Sequence, residues 1–377
     1  MATKANYFIG LMSGTSADGI DAALVDFSAD NHSDRQHQCK LVHSLFIPFD
    51  AETRREITSL YQPNSDEIQR SQTLDKKLAT LYADAVHQLL EVSGVAKKDI
   101  VAIGNHGQTI RHFPPERERK LPYTLQIGCN QTLAVLTGIE VIGQFRVKDI
   151  ALGGQGAPLA PAFHQFLLGE QTPSVVLNLG GIANITYLTK DRVMGFDTGP
   201  ANGLMDAWFA KHHSHGNYDC DGKWASSGSV ITPLLDTLCA EPYFQGPPPK
   251  STGREVFHLD WLSGFVNLGQ YAPADIQATL LALTARTITD AINSLPSVDA
   301  IWLCGGGRHN SFLIETLCKM MPAKRIANID QLGIDGDALE AMAFAYLAFA
   351  YKNNFCSNIP AVTGAKKSTT LGVLFLP

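Results

Sequence analysis

One pattern, occurring twice, constrains this chain more than any other: a strand-like run, a turn of glycine and small polar residues, and a second strand-like run. Near the N-terminus, residues 7–12 and 20–27 flank Gly14-Thr15-Ser16-Ala17-Asp18-Gly19-Ile20-Asp21. About 165 residues later, residues 175–177 and 185–188 flank Asn178-Leu179-Gly180-Gly181-Ile182-Ala183-Asn184. Such turns let several backbone N–H groups converge on one anion, and the hydroxyls of the first copy add donors. Asp18 and Asp21 would repel bare phosphate but suit Mg²⁺, often through water. The first turn is not a P-loop, because no Gly-Lys-Ser/Thr follows and the next element reads as a strand. Two such hairpins far apart predict a duplicated domain with a nucleotide between the copies.

The 377 residues exceed one comfortable core and suit two domains. A net charge of −6 without Lys/Arg runs argues against nucleic acid as a partner. Residues 116–120 form a mixed-charge patch expected in a solvated loop. The seven scattered cysteines contain no Cys-x-x-Cys, which fits a reducing cytoplasm and excludes a zinc knuckle. No signal peptide is read at the N-terminus, and the apolar stretch 341–351 is far short of the roughly 20 residues of a membrane span. The expectation is a cytoplasmic protein away from membranes.

Strands and helices mix throughout, which gives an α/β class. A third strand is expected over 41–47. An amphipathic helix follows, carrying Leu74, Leu78, Leu81, Ala85 and Leu89 on one stripe, with Gly94 as its C-cap. Strand 100–104 leads into His106-Gly107-Gln108-Thr109, read as a loop. Residues 128–138 read as helix and 141–144 as strand, with Arg146 at that strand's end. Gly153-Gly154-Gln155-Gly156-Ala157-Pro158 reads as a hinge. Strand 193–196 ends at Asp197-Thr198-Gly199-Pro200-Ala201-Asn202, with Asn202 placed to N-cap a helix. Strand 300–303 precedes Gly305-Gly306-Gly307 and a helix over 311–320. Asp337 and Glu340 resemble a capping box for an Ala-rich helix, and 371–376 reads as an edge strand.

Asp197 is the leading chemical candidate. A carboxylate at a strand end can deprotonate an attacking hydroxyl or water, although Asp also serves turns. Gly305, Gly306 and Gly307 would let a flat ring or ribose approach the backbone, or would simply make a strand-to-helix turn. His309 and Asn310 suit either a nucleotide or a cap. His106 and Gln108 offer donors to a polyhydroxylated ligand. Arg146 suits an anionic substrate group, with a salt bridge to Asp149 as the competing account. Glu340 can reach a ligand or serve its cap. His212, His213 and His215 lack zinc-type spacing, so no metal site is expected there. Lys250, Ser251, Thr252 and Arg254 after 247–249 form a basic, hydroxyl-bearing loop that suits phosphate or substrate, with a crossing of the domain interface as the competing account.

Together these residues resemble the actin, hexokinase and heat-shock-ATPase superfamily, in which ATP lies in a cleft between duplicated ribonuclease H-like domains. More narrowly, the chain resembles the anhydro-N-acetylmuramic acid kinase family over nearly its whole length. The match runs through residues 10–21, 106–109, 126–128, 145–149, 153–159, 178–184, 195–202, 247–255, 304–310, 336–348 and 359–365. Ala201 and Tyr346 depart from the family pattern. The resemblance implies an α/β fold with lobes at 1–145 plus 358–377 and at 146–357, closing on ligand.

It also implies a reaction. ATP, water and 1,6-anhydro-N-acetylmuramic acid, a cell-wall turnover product, would give N-acetylmuramic acid 6-phosphate and ADP. Asp197 would be the catalytic base. Gly14, Thr15, Ser16, Ala17, Asp18, Gly19, Ile20 and Asp21 would bind the ATP phosphates with Mg²⁺, Asp18 being its candidate ligand. Asn178, Gly180 and Gly181 would complete the phosphate clamp, and Gly305, Gly306 and Gly307 would border the adenosine. His106, Gln108, Arg146 and Glu340 would meet the sugar, Arg146 its lactyl carboxylate. A homodimer is implied by the family alone. A conventional sugar kinase and a non-catalytic sugar or nucleotide sensor remain as alternatives.

Overall fold

The computed structural model describes residues 6–28, 39–115, 121–169, 173–248, 250–253, 256–265 and 267–377. The charge patch at 116–120, and Pro249, Arg254 and Glu255 of the basic loop, lie outside them. Twelve strands are seen among the described residues: β1 Tyr7–Ser13, β2 Gly19–Asp26, β3 Lys40–Pro48, β4 Ile100–Phe113, β5 Tyr123–Ile127, β6 Val141–Gly143, β7 Ser174–Leu179, β8 Ile182–Leu188, β9 Val193–Pro200, β10 Ala300–Cys304, β11 Arg325–Asn328 and β12 Val373–Phe375. They form two sheets in two compact units, 1–168 with 338–377, and 169–337.

Each sheet repeats the other's plan. In the first unit the order is β12-β6-β4-β1-β2-β3, with β5 paired to β4. β1, β2 and β3 form an antiparallel meander, and β4 and then β6 add in parallel on its far side. In the second unit the order is β11-β10-β7-β8-β9. Again there is an antiparallel meander, β7-β8-β9, and two parallel strands, β10 and β11, beyond its first strand. The repeated hairpins of the sequence, β1-β2 and β7-β8, are therefore equivalent pieces of a duplicated topology.

The units differ in how the chain completes them. The second is one continuous segment whose core gathers Val175, Leu177, Leu204, Trp208, Ile288, Leu303 and Leu313. The first is discontinuous, because helix Leu339–Lys352 returns to cover β1, β2 and β4. Gly10 of β1 and Gly104 of β4 are register neighbours. A Cβ on either would run into a backbone carbonyl of this helix, at Ala341 and at Phe344. Close approach explains why the helix is Ala-rich on one side, with Ala341, Ala345 and Ala348 fully buried. The Ala-rich helix therefore belongs to the first compact unit, whose ends fall at 168 and 338 where 145 and 358 were expected.

Several local expectations change for the same kind of reason. His106–Thr109 is not a loop, because β4 continues to Phe113 by exchanging its partner β1 for β5 at Gln108. Arg146 sits in helix Phe145–Ala151 rather than at a strand end. The segment from Gly153 to Pro158 lies inside the first unit, not at a unit boundary, and Asp149 binds its Gly156 N–H. Asp197 is inside β9, which runs on to Pro200. Asn202 is the first residue of helix Asn202–His212, and its amide donates to the Leu179 carbonyl instead of capping. Helix Leu339–Lys352 starts without a side-chain cap, since Asp337 is held by Arg308. The edge strand near the C-terminus is β12, antiparallel to β6. No helix among the described residues is long and apolar enough to cross a membrane.

Candidate functional site

The turn between β1 and β2 is built from behind. Ala17 N–H donates to the Gly14 carbonyl at 3.1 Å, and Ala17 takes φ +50°, a conformation costly for a Cβ-bearing residue. Gln108, fully buried in β4, donates to the Gly14 carbonyl at 3.0 Å and accepts the hydroxyl of Ser13. Tyr61 donates to the Thr15 carbonyl at 2.9 Å. These hydrogen bonds fix the shape of the turn. Ser16 Oγ donates to Asp18 Oδ1 at 2.6 Å, and the Asp18 side chain is exposed. Ile20 is buried in the core and Asp21 lies half-buried in β2 opposite Met12. Gln108 is thus a strut of the turn between β1 and β2, a role the sequence alone did not suggest.

A second group in the same unit centres on Arg146. Its Nε and Nη2 approach His106 Nε2 at 3.2 and 2.9 Å, and its Nη1 donates to the Gly156 carbonyl at 2.7 Å. For His106 Nε2 to accept, the ring proton must sit on Nδ1. Burial first, and the Arg146 charge second, hold the imidazole well below its ordinary 6.5, so it is neutral. Burial lowers Arg146 to about 10, opposed by the charges of Glu340 and Asp149, and the guanidinium stays charged at neutral pH. Asp149 is not its hydrogen-bonded salt-bridge partner. That buried carboxylate accepts instead from Gly156 N–H, Asn358 and Thr363, tying residues 149–156 to the C-terminal segment. His106, Arg146 and Glu340 therefore come together, whereas Asp149 has a structural task.

In the second unit the Gly180-Gly181 turn sits at the N-terminal end of helix Asn202–His212. Ala201 and Gly203 N–H donate to the Gly181 carbonyl, and Asn202 N–H to that of Gly180. The turn after β10 packs directly on this hairpin. A Cβ on Gly305, at φ +77°, would meet the side chain of Asn178 and the backbone of Leu179. One on Gly307 would meet Leu179 and Asn202. Gly306 has open space around it. Close packing thus accounts for Gly305 and Gly307, and not for Gly306. Arg308 behind them is buried and binds Asp337 and Asp330, and this hydrogen bonding holds the Asp337 carboxyl below its usual range. Asn310 caps helix Ser311–Met320 through Leu313 N–H.

Asp197 lies on β9, the edge strand of its sheet, directly across from Asn184 of the β7-β8 hairpin strand. Its Oδ2 accepts the Thr252 N–H at 2.9 Å. Its own N–H donates to the Lys250 carbonyl at 3.1 Å, and its carbonyl accepts the Tyr243 hydroxyl at 2.8 Å. Burial, then the Asp197 charge, pushes the Tyr243 phenol up, so it remains a donor. Tyr243 carried no signal in the sequence, and Thr252 stood out only within its basic loop, because both lie far from Asp197 along the chain. His213 stacks on Phe209 and His212 lies tilted against Trp208, and no cluster of metal ligands occurs among the described residues.

The family model for anhydro-N-acetylmuramic acid kinase matches residues 6–377. An anhydro-N-acetylmuramic acid kinase of Colwellia psychrerythraea is 52% identical over 99% of this chain and 98% of its own length. Relatives of the same name from Nitrosomonas europaea and Shewanella sediminis are 48% and 47% identical, each covering 98% of this chain and 99% and 98% of their own. The chain belongs to the anhydro-N-acetylmuramic acid kinase family.

Proposed function

We propose that this kinase converts 1,6-anhydro-N-acetylmuramic acid, ATP and water to N-acetylmuramic acid 6-phosphate and ADP, with Asp197 as the base. Water attacks the anomeric carbon, the bond from that carbon to the bridging oxygen breaks, and the freed 6-oxygen takes the γ-phosphoryl of ATP. Asp197 accepts the proton of the attacking water, the task of the base in an inverting glycosidase. The observation that carries the reading is the setting of Asp197: a carboxylate held by a backbone N–H on an edge strand, across from the glycine hairpin. A hydrogen bond to the charged form keeps a carboxylate ionised and ready to accept a proton.

The phosphate contacts belong to the turn 14–18 and to Asn178, Gly180 and Gly181, with Gly306 toward the adenosine. Mg²⁺ fits these donors: Asp18 offers one exposed carboxylate, and such ions take one or two carboxylates plus substrate phosphates rather than a protein cage. When bound, Mg²⁺ would neutralise phosphate charge during transfer. Arg146, oriented by neutral His106 and the Gly156 carbonyl, binds the lactyl carboxylate, and Glu340 faces the same sugar.

The test is turnover of ATP with the anhydro-sugar in ¹⁸O-water, for the native enzyme and Asp197→Asn. The expected result is ¹⁸O at the anomeric carbon and a kcat loss of about a hundredfold to ten-thousandfold in the variant, with ATP binding retained. Product without ¹⁸O, or activity only on sugars with a free hydroxyl, would make the enzyme a conventional sugar kinase.

A further inference from the structure

Edge strands leave backbone N–H and C=O groups facing outward, and at Asp197 a remote segment takes up both. That segment runs from Tyr243 to Thr252. Its two ends touch Asp197 through the Tyr243 hydroxyl and the Thr252 N–H, with the Lys250 carbonyl between them. Lys250 also closes the segment on itself. Its Nζ donates to the Tyr243 carbonyl at 3.1 Å and the Phe244 carbonyl at 3.0 Å, and lies 4.9 Å from the centre of the Tyr243 ring. One side chain thus fixes the loop's far end while its own main chain, and that two residues on, grips the strand.

We propose that Lys250 is a positioning residue for Asp197, clasping segment 243–252 so that the Thr252 N–H holds the carboxylate in one orientation. The proposal rests on the reading of Asp197 as the base. The hydroxyl of Thr252 is buried without a hydrogen-bond partner, so it is the backbone N–H that acts. Lysine suits the task because its ammonium presents three donors at the end of an apolar stem. Burial lowers the Lys250 pKa, yet two carbonyl acceptors favour the charged form. Among the described residues, Tyr243 and Lys250 are the titratable groups that the clasp brings to the Asp197 strand, and Asn184 across on β8 does not titrate.

The test compares Lys250→Met, Lys250→Arg and Tyr243→Phe with Asp197→Asn in steady-state kinetics across pH, with melting curves alongside. Loosening the clasp is expected to lower kcat in Lys250→Met by about tenfold to a hundredfold, with KM for ATP unchanged. Weakening a hydrogen bond to the ionised carboxylate should move the acid limb of kcat upward by about one pH unit. Lys250→Arg, which keeps donors for both carbonyls, should recover most of the rate. Native kcat and acid limb in Lys250→Met, beside an inactive Asp197→Asn, would overturn the clasp and leave the base reading intact. An active Asp197→Asn would overturn the base reading itself. If Lys250→Met does not fold, Tyr243→Phe decides, since it deletes one hydroxyl: a lower kcat with a raised acid limb supports the clasp, and native values of both overturn it.

Discussion

Arg146 and His106 show how single side chains set each other's state. The guanidinium has five N–H groups, and three contacts, two to His106 and one to the Gly156 carbonyl, aim the fork. Arg146→Ala should therefore raise KM for the anhydro-sugar at least tenfold while KM for ATP moves little, and equal effects on both would refute the assignment. The pair also has a pH consequence. His106 is held well below 6.5, and burial takes His112 to about 4 and His164 to about 3. As pH falls below 6.5, the unfolded chain takes up protons that the folded one refuses, so stability is lost in that window. Melting temperature should accordingly drop between pH 6.5 and about 4, and His164→Gln should make the drop shallower. A melting temperature constant down to pH 5 would contradict this.

At the level of elements, the contact between the first sheet and helix Leu339–Lys352 is set by absent side chains. Gly104→Ala would drive a methyl group into the Phe344 carbonyl, a backbone atom that cannot rotate away. The expected cost is about 3 kcal/mol, read from urea midpoints, and an unchanged midpoint would mean that the helix can retreat. This contact also marks the limit of what pattern reading could find. Hairpins β1-β2 and β7-β8 were legible because apolar runs flank glycine turns, and helix Ser311–Met320 because a polar cap precedes its stripe. The extension of β4 through His106 and Gln108 was not, because polar residues buried between β1 and β5 look like a loop in one dimension. Asp197 was found from its turn, but its partners Tyr243 and Thr252 come from a segment with no periodicity. Asp337 looked like a helix cap because its partner, Arg308, is close only in space.

Considered whole, the molecule has one continuous unit inserted into one interrupted unit. A chain ending at Asp337 keeps every strand of the second sheet and the Arg308–Asp337 pair, but loses the helix covering β1 and β4 and the edge strand β12. Phe8 then loses its edge-on contact with Phe349, with ring centres 5.6 Å apart. The expected outcome is a protein whose limited proteolysis leaves a resistant fragment near 169–337 while the N-terminal portion is digested. Equal protection of both portions would show that the first sheet needs no cover.

The same insertion reverses the usual order of maturation on the ribosome, where the N-terminal part of a chain normally folds first. Here the strands made first must wait for the helix made near the end, while everything between them is translated. At roughly 5–20 residues per second, the wait from the end of β4 to the end of that helix is about ten to fifty seconds. Throughout it, Phe8 and the bare glycine face of β1 and β4 stay without their helix cover. Yield of this protein in a cell is therefore expected to depend on chaperone occupancy during translation as well as on the stability of the finished enzyme.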